Sequence, residues 1–389
     1  MTAAPARAAV MLRSAAQAVP VLSEVRVAKP QQPITSRWST LVVDPPGSTM
    51  IGISFRPLQA AALGLDPHRA LTELLDYRFP LIRLAAYWNQ LEPEAGRLDT
   101  SSLDRQIDAA AAAGKRIILC VGAIKAFGYP EFFVPAHHLP EPLPEGQLIS
   151  PRSHRALLDA ATGFVGSLVE RYRGRPEIVG WQVEHEPVDP LGMEHSWRLS
   201  AAFVRHETAA VRAADPARPV LLTGFLPTST PVRVQQRWRT RDQGDSLAIA
   251  GQLADVVGVN FYPRHGLVKL GSRTAYLAGS ASAWQRRANT RLLAGLARSG
   301  RRLMVTEAQA EPWETVTTPP SRRGSVMFSC LPEHVIDNYN AAMRLGAVAP
   351  DGLWAFLFWG AEYWLKRRDQ GDDSYLAAFS RVLAAGHPD

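Results

Sequence analysis

Two glutamates stand where chemistry could be done. Glu186 ends the run Trp181-Gln182-Val183-Glu184-His185-Glu186, and Glu307 ends Leu303-Met304-Val305-Thr306-Glu307, so each directly follows a short apolar stretch of strand-like composition. A carboxyl pair can divide labour when one member is held protonated and the other ionised: the first gives a proton to a leaving oxygen while the second attacks. Taken singly, either residue reads as a solvated loop carboxylate or as the ion-pair partner of Arg83. Their equivalent placement at two strand ends favours the catalytic reading. Glu184 alternates with the barrel-facing positions and reads as a buried structural partner, while Glu311, in Glu311-Pro312-Trp313, is the rival nucleophile.

The elements that must position the pair follow from the apolar pattern. From Met50 onward, short apolar runs alternate with longer helical patterns, the mark of parallel βα units. Eight strand candidates result: 50–55, 81–86, 116–122, 178–184, 219–223, 255–260, 302–306 and 352–358. Most are continuously apolar, as strands covered on both faces should be. Helical patterns lie near 67–77, 101–113, 151–172, 195–213, 245–253, 281–299, 332–345 and 373–383, the fifth being the weakest. Ser150-Pro151 and Leu331-Pro332-Glu333 carry start signals, and Gly114, Gly300 and Gly346 carry stops.

Eight such pairs predict an α/β fold of the (β/α)₈ TIM-barrel type, a single domain over residues 46–389. The long segments 123–150, 226–244, 262–279 and 308–331 all follow strands, on the face where barrel enzymes build their sites. An open doubly wound sheet is the alternative, but no Gly-x-Gly-x-x-Gly follows the first strand. In a barrel, strands four and seven face each other across the mouth. That arrangement suits carboxyls about 5 to 5.5 Å apart, the separation used for double displacement at a sugar's anomeric carbon.

Composition sets bounds. The chain has 389 residues, 46% hydrophobic and 20% charged, enough to bury one large core. No run approaches the roughly 18 apolar residues of a membrane span. The net charge of +7 comes largely from arginines spread along the chain, such as Arg286-Arg287 and Arg322-Arg323. Without a recognition motif these read as solvated faces, which argues against nucleic acid and leaves acidic glycans compatible. Cys120 and Cys330 cannot make a disulfide framework. No Cys-x-x-Cys, His-x-His or His-Glu-x-x-His occurs, so no metal is expected, and the pair His137-His138 sits in a Pro-rich loop that reads as solvent-exposed. Residues 1–45, rich in Ala, Pro, Val and Gln, read as a loosely packed N-terminal extension. Arg13 breaks its apolar run, so it makes a poor signal peptide, which favours the cytoplasm over secretion as an expectation.

Several motifs in register resemble the large clan of retaining (β/α)₈ glycoside hydrolases that includes cellulases, mannanases and β-galactosidases, glycoside hydrolase clan A, in the manner of its families 5 and 42. The segment from Ile82-Arg83 to Tyr87-Trp88, followed by Leu91-Glu92-Pro93-Glu94-Ala95-Gly96, looks like the clan's second strand and its loop. The resemblance implies that Arg83 braces the nucleophile. Glu186-Pro187 looks like the acid/base motif, Val259-Asn260-Phe261-Tyr262 like the sixth-strand end whose tyrosine bonds the nucleophile, and Phe358-Trp359-Gly360 like the eighth-strand end whose aromatic forms a sugar platform. The match runs from about Met50 to the C-terminus. It departs in one place: His185 stands where the clan has the asparagine that contacts the sugar 2-hydroxyl.

The implied activity is hydrolysis, or transfer, of a β-linked glycoside with retention, Glu307 acting as nucleophile and Glu186 as acid/base. Tyr262 and Arg83 would position Glu307, and His185 would meet the sugar near its 2-position. Trp359, Trp88 and Trp313 are candidates for stacking on sugar, each with core packing as its rival. The implied partner is a carbohydrate, with no cofactor. A second reading stays open, a non-catalytic or weakly active carbohydrate-binding barrel signalled by His185; a metal-assisted barrel hydrolase would need ligands that the strand ends do not offer.

Overall fold

The computed structural model describes residues 24–128, 131–139, 141–144, 146–188, 197–278, 282–312 and 324–386. Eight parallel strands close into a barrel: β1 (Met50–Ser54), β2 (Leu81–Ala85), β3 (Arg116–Cys120), β4 (Ile178–Gln182), β5 (Val220–Phe225), β6 (Val256–Phe261), β7 (Arg302–Gln309) and β8 (Leu353–Trp359). Each pairs with its chain neighbours, and β8 pairs back onto β1 to leave no edge. The continuous apolar runs are explained by double coverage. One set of side chains, including Leu81, Ile118, Leu221, Val256, Met304, Ala355 and Leu357, forms a small cluster of its own, while the alternate set packs in the large core with the surrounding helices.

The strands and the eight helices expected from periodicity are present, with shifted ends. The helix expected from Pro151 begins at Arg155, because Ser150 caps a preceding turn: its hydroxyl lies 2.7 Å from that of Ser153. The helix expected from 195 runs Ala201–Ala214, with Ser200 accepting from the Phe203 amide. Several elements lie in segments read as loops. Among them are the helices Pro57–Ala62, Trp88–Leu91, Thr230–Arg239 and Ala361–Asp369, and a hairpin of Arg264–Leu270 with Arg273–Ala278.

Part of the N-terminal segment is built into the fold. Val25–Ala28 adds a third strand to that hairpin, and Gln31–Pro33 pairs with Ser325–Met327. Glu24 is buried and accepts from both the amide and the hydroxyl of Thr230. Among the described residues no helix is long and apolar enough to cross a membrane.

Two local devices shape the barrel mouth. The pairing of β6 with β7 slips between Val259 and Asn260, so that Val259 opposes Val305 but Asn260 opposes Glu307. The extra residue, Thr306, makes a bulge that re-aims the side chains at the end of β7. Gly122, just past β3, lies against the chain leaving β4 so closely that a Cβ would sit 1.4 Å from the carbonyl oxygen of Val183. Only glycine permits that approach.

Candidate active site

Glu307 is buried at the end of β7 and is gripped from two sides. Arg83 Nη2 donates to its Oε1 at 2.7 Å, and the Tyr262 hydroxyl donates to its Oε2 at 2.7 Å. Burial raises its pKa above the usual carboxylate value, and Arg83 and Tyr262 oppose that rise. Arg83 is itself locked. Its Nε donates to Ser54 Oγ, its Nη1 to Gln182 Oε1, and its guanidinium lies 3.9 Å over the Phe127 ring. The donors are thereby fixed before any substrate arrives, which is what preorganised electrostatic stabilisation requires.

Glu186 sits beyond β4 with φ of 42°, a left-handed conformation uncommon for a residue with a side chain. Its backbone is pinned at both ends: the amide donates to Thr223 Oγ1 at 3.2 Å, and Lys125 Nζ donates to its carbonyl at 2.7 Å. Its carboxyl accepts from Asn260 Nδ2 at 2.6 Å. The Thr306 hydroxyl donates to Asn260 Oδ1 at 2.7 Å, which fixes the amide so that its NH₂ faces Glu186. Asn260 and Tyr262, two residues apart at the end of β6, thus hold one glutamate each.

His185 is buried beside Glu307. Its Nδ1 lies 3.3 Å from Thr223 Oγ1 and 3.5 Å from Glu307 Oε1. Burial, with Arg83 and Lys125 nearby, drives its pKa well below the ordinary histidine value, so the ring is neutral at neutral pH. Trp359 ends β8 with Arg56 4.1 Å over its ring. Arg56 in turn is held by Glu311 and Glu362, both buried. This ion triad occupies Glu311, the rival nucleophile.

Trp88 lies elsewhere. It is fully buried, stacked on Phe164 with centroids 5.1 Å apart, and donates through Nε1 to Glu92. Its packing makes it a structural residue of the loop after β2, not an open stacking face. Trp313 lies outside the described residues.

Sequence reading missed several groups, since their bonds join distant segments. Gln182, Thr223, Asn260 and Thr306 appear in it as strand residues or not at all. Lys125 and Glu131 come from the long segment after β3. Burial and the nearby Glu307 raise the Glu131 carboxyl, which Lys125 opposes, to about 6. Behind them, Glu184 accepts from the amides of Ile124 and Lys125 at 3.0 and 2.6 Å, and thereby fixes the backbone that carries Lys125. Burial raises both Glu184 and its neighbour Glu207, so this pair keeps a proton at neutral pH.

The family model of glycoside hydrolase family 42, β-galactosidase, matches residues 76–206. Over that stretch the chain resembles a known glycosidase family. Endoglycoceramidase I of Rhodococcus hoagii (strain 103S) is 28% identical over 229 residues, 49% of this chain and 46% of the relative, so the match spans less than half of that protein's length. Two solved structures share the barrel. A GH5_18 protein from Streptomyces cattleya, in complex with GlcNAc, has a TM-score of 0.56 at 14% identity, covering 88% of this chain and 81% of that one. An exo-β-1,4-mannosidase from Opitutaceae bacterium strain TAV5 has a TM-score of 0.51 at 15% identity, covering 89% and 63%. At such identities these two likenesses concern the fold alone. Together the findings make this chain similar to the barrel glycoside hydrolases of clan A.

Proposed function

We propose that the chain hydrolyses a β-linked glycoside with net retention. The observation that carries the reading is the unlike support of the two glutamates: Glu307 held between Arg83 and Tyr262, Glu186 held by Asn260, with both at one barrel mouth. The Glu307 carboxylate attacks the anomeric carbon as its bond to the leaving oxygen breaks, and that oxygen takes its proton from Glu186. Water then loses a proton to Glu186, attacks the same carbon and releases Glu307. Arg83 and Tyr262 oppose the rise in pKa that burial causes at Glu307, and both donors stay in place as its charge is consumed and restored.

His185, neutral and beside Glu307, serves as the polar contact for the sugar near its 2-position. Trp359, at the end of β8 with Arg56 over its ring, is the residue assigned to stack on the sugar. The names of the matching family and relative suggest starting with β-galactosides and glycosylceramides, alongside aryl β-glycosides of glucose, mannose, xylose, fucose and arabinose. For the substrate found, Glu307→Ala should abolish turnover and azide should restore it as a glycosyl azide. The product anomer, followed by NMR, should be retained. An inverted product, or unchanged turnover in Glu307→Ala, defeats the mechanism.

A further inference from the structure

Beside the barrel mouth, the loop after β2 and the segment after β3 meet in a group that the proposed reaction does not use. Glu92 lies in the Leu91-to-Gly96 turn, while His137 and His138 occupy a short 3₁₀ turn, Ala136–His138. Both imidazoles aim Nε2 at the one carboxylate, His137 at Oε1 from 3.4 Å and His138 at Oε2 from 3.2 Å. One ligand atom from each of the three residues falls within 4.8 Å of the others.

We propose that Glu92, His137 and His138 form a binding site for zinc or a similar divalent transition metal, tying the β2 loop to the β3 loop. Three observations converge. Ligands at about 2.0 to 2.1 Å from a tetrahedral zinc lie roughly 3.3 Å apart, the spacing found between Glu92 and each histidine. Glu92 is already oriented from behind, by the Trp88 indole N–H at 2.6 Å and the Gly96 amide at 2.9 Å, the kind of outer support that metal-ligating carboxylates have. His138 is also packed against Trp88, with centroids 4.6 Å apart, which fixes the ring.

The side chains are partly exposed, at 25% for His137, 22% for His138 and 13% for Glu92, so an ion can reach them from solvent. Two imidazoles and a carboxylate suit zinc, cobalt, nickel or copper. Magnesium and calcium prefer oxygen ligands alone. Three protein ligands leave a fourth position for water, but the site supplies no step of glycoside cleavage. Its role is to clamp two loops that border the cleft.

Calorimetric titration of the chelator-treated full chain with zinc chloride tests this. One equivalent should bind, and the melting temperature should rise by about 3 °C at a hundredfold excess over the dissociation constant. Magnesium should produce neither effect. His138→Gln and the double variant His137→Gln, His138→Gln should lose the binding step while retaining the melting temperature of the metal-free protein, which separates lost ligands from lost folding. No zinc binding by the parent chain, or the same stoichiometric binding in the double variant, overturns the proposal. Neither outcome bears on Glu186 and Glu307.

Discussion

Replacing Tyr262 by phenylalanine removes one oxygen and little else, since the ring keeps its place beside Phe225, 6.3 Å away. What is lost is a 2.7 Å bond to the buried carboxylate of Glu307. A hydrogen bond to a charged group contributes about 1.5 to 3 kcal/mol, and a neutral one nearer 1. The difference, about 0.5 to 2 kcal/mol, is what moves the pKa, and at about 1.4 kcal/mol per unit the Glu307 pKa should rise by a further 0.5 to 1.5 units or so. The sign follows from linkage. Glu307 already titrates above its unfolded value, so it binds a proton more readily in the fold, and its share of stability falls as pH rises through the folded pKa. Tyr262→Phe should therefore cost about 1.5 to 3 kcal/mol at neutral pH but only about 1 kcal/mol near pH 4, where the carboxyl is protonated in both proteins. Urea melts at the two pH values measure this without any substrate. With a substrate, the acid limb of kcat/KM should move up by the same amount, about 0.5 to 1.5 units. An equal stability loss at both pH values with an unmoved acid limb would refute the claim that Tyr262 stabilises an ionised Glu307.

Arg83→Met leaves Glu307 buried without its cation and should cost about 3 to 5 kcal/mol by thermal or urea unfolding, whatever the enzyme's substrate. Gly122→Ala should not yield native protein, judged by soluble expression and circular dichroism, because the added carbon meets backbone that cannot move. Glu184→Gln should destabilise by about 1 to 3 kcal/mol, since its NH₂ must face one of two backbone amides that each need an acceptor, while Glu207→Gln, which mimics the protonated acid, should stay within about 1 kcal/mol; urea melts compare them. His185, and His334 in the first turn of the helix Pro332–Gly346, where its Nδ1 accepts from the Leu331 amide, are held neutral by burial, so the unfolded chain gains protons first, and stability should fall by up to about 1.4 kcal/mol per pH unit for each as pH drops below about 6.5; His334→Gln should lessen that slope in the same melts.

The strands were legible because a barrel strand buried on both faces announces itself as an apolar run, and 302–306 or 352–358 has no other reading. Helix starts were less so. Ser150-Pro151 is a sound start signal, yet Ser150 spends its hydroxyl on Ser153 and the helix waits until Arg155. The missed elements, such as Thr230–Arg239 and the hairpin Arg264–Ala278, ride on the barrel's outer loops. The Thr230–Arg239 helix and the first hairpin strand, Arg264–Leu270, have no buried residues, which gives periodicity little to register.

The site divides along the same line. Glu186 and Glu307 directly follow apolar runs, so the strand count located them; Arg83 and Tyr262 came from the resemblance, and the structure joins both to Glu307. Asn260 was in view only as part of a strand end. Its bond to Glu186 depends on the bulge at Thr306, which sets Asn260 opposite Glu307 and supplies the hydroxyl that turns the amide, and no local signal marks a bulge formed by pairing across 46 residues. His185 shows the converse. Its departure from the clan's asparagine was plain in the sequence, but the consequence was not: the ring is buried and uncharged beside Thr223 and Glu307, and on the proposed reading it is a fixed, neutral dipole that would meet the sugar. Titration is thereby removed as a difference between histidine and asparagine, leaving bulk. His185→Asn should then alter KM for substrates that differ at the 2-position more than it alters the pH profile, and a shifted profile with unchanged 2-position discrimination would show that the ring acts through its charge after all.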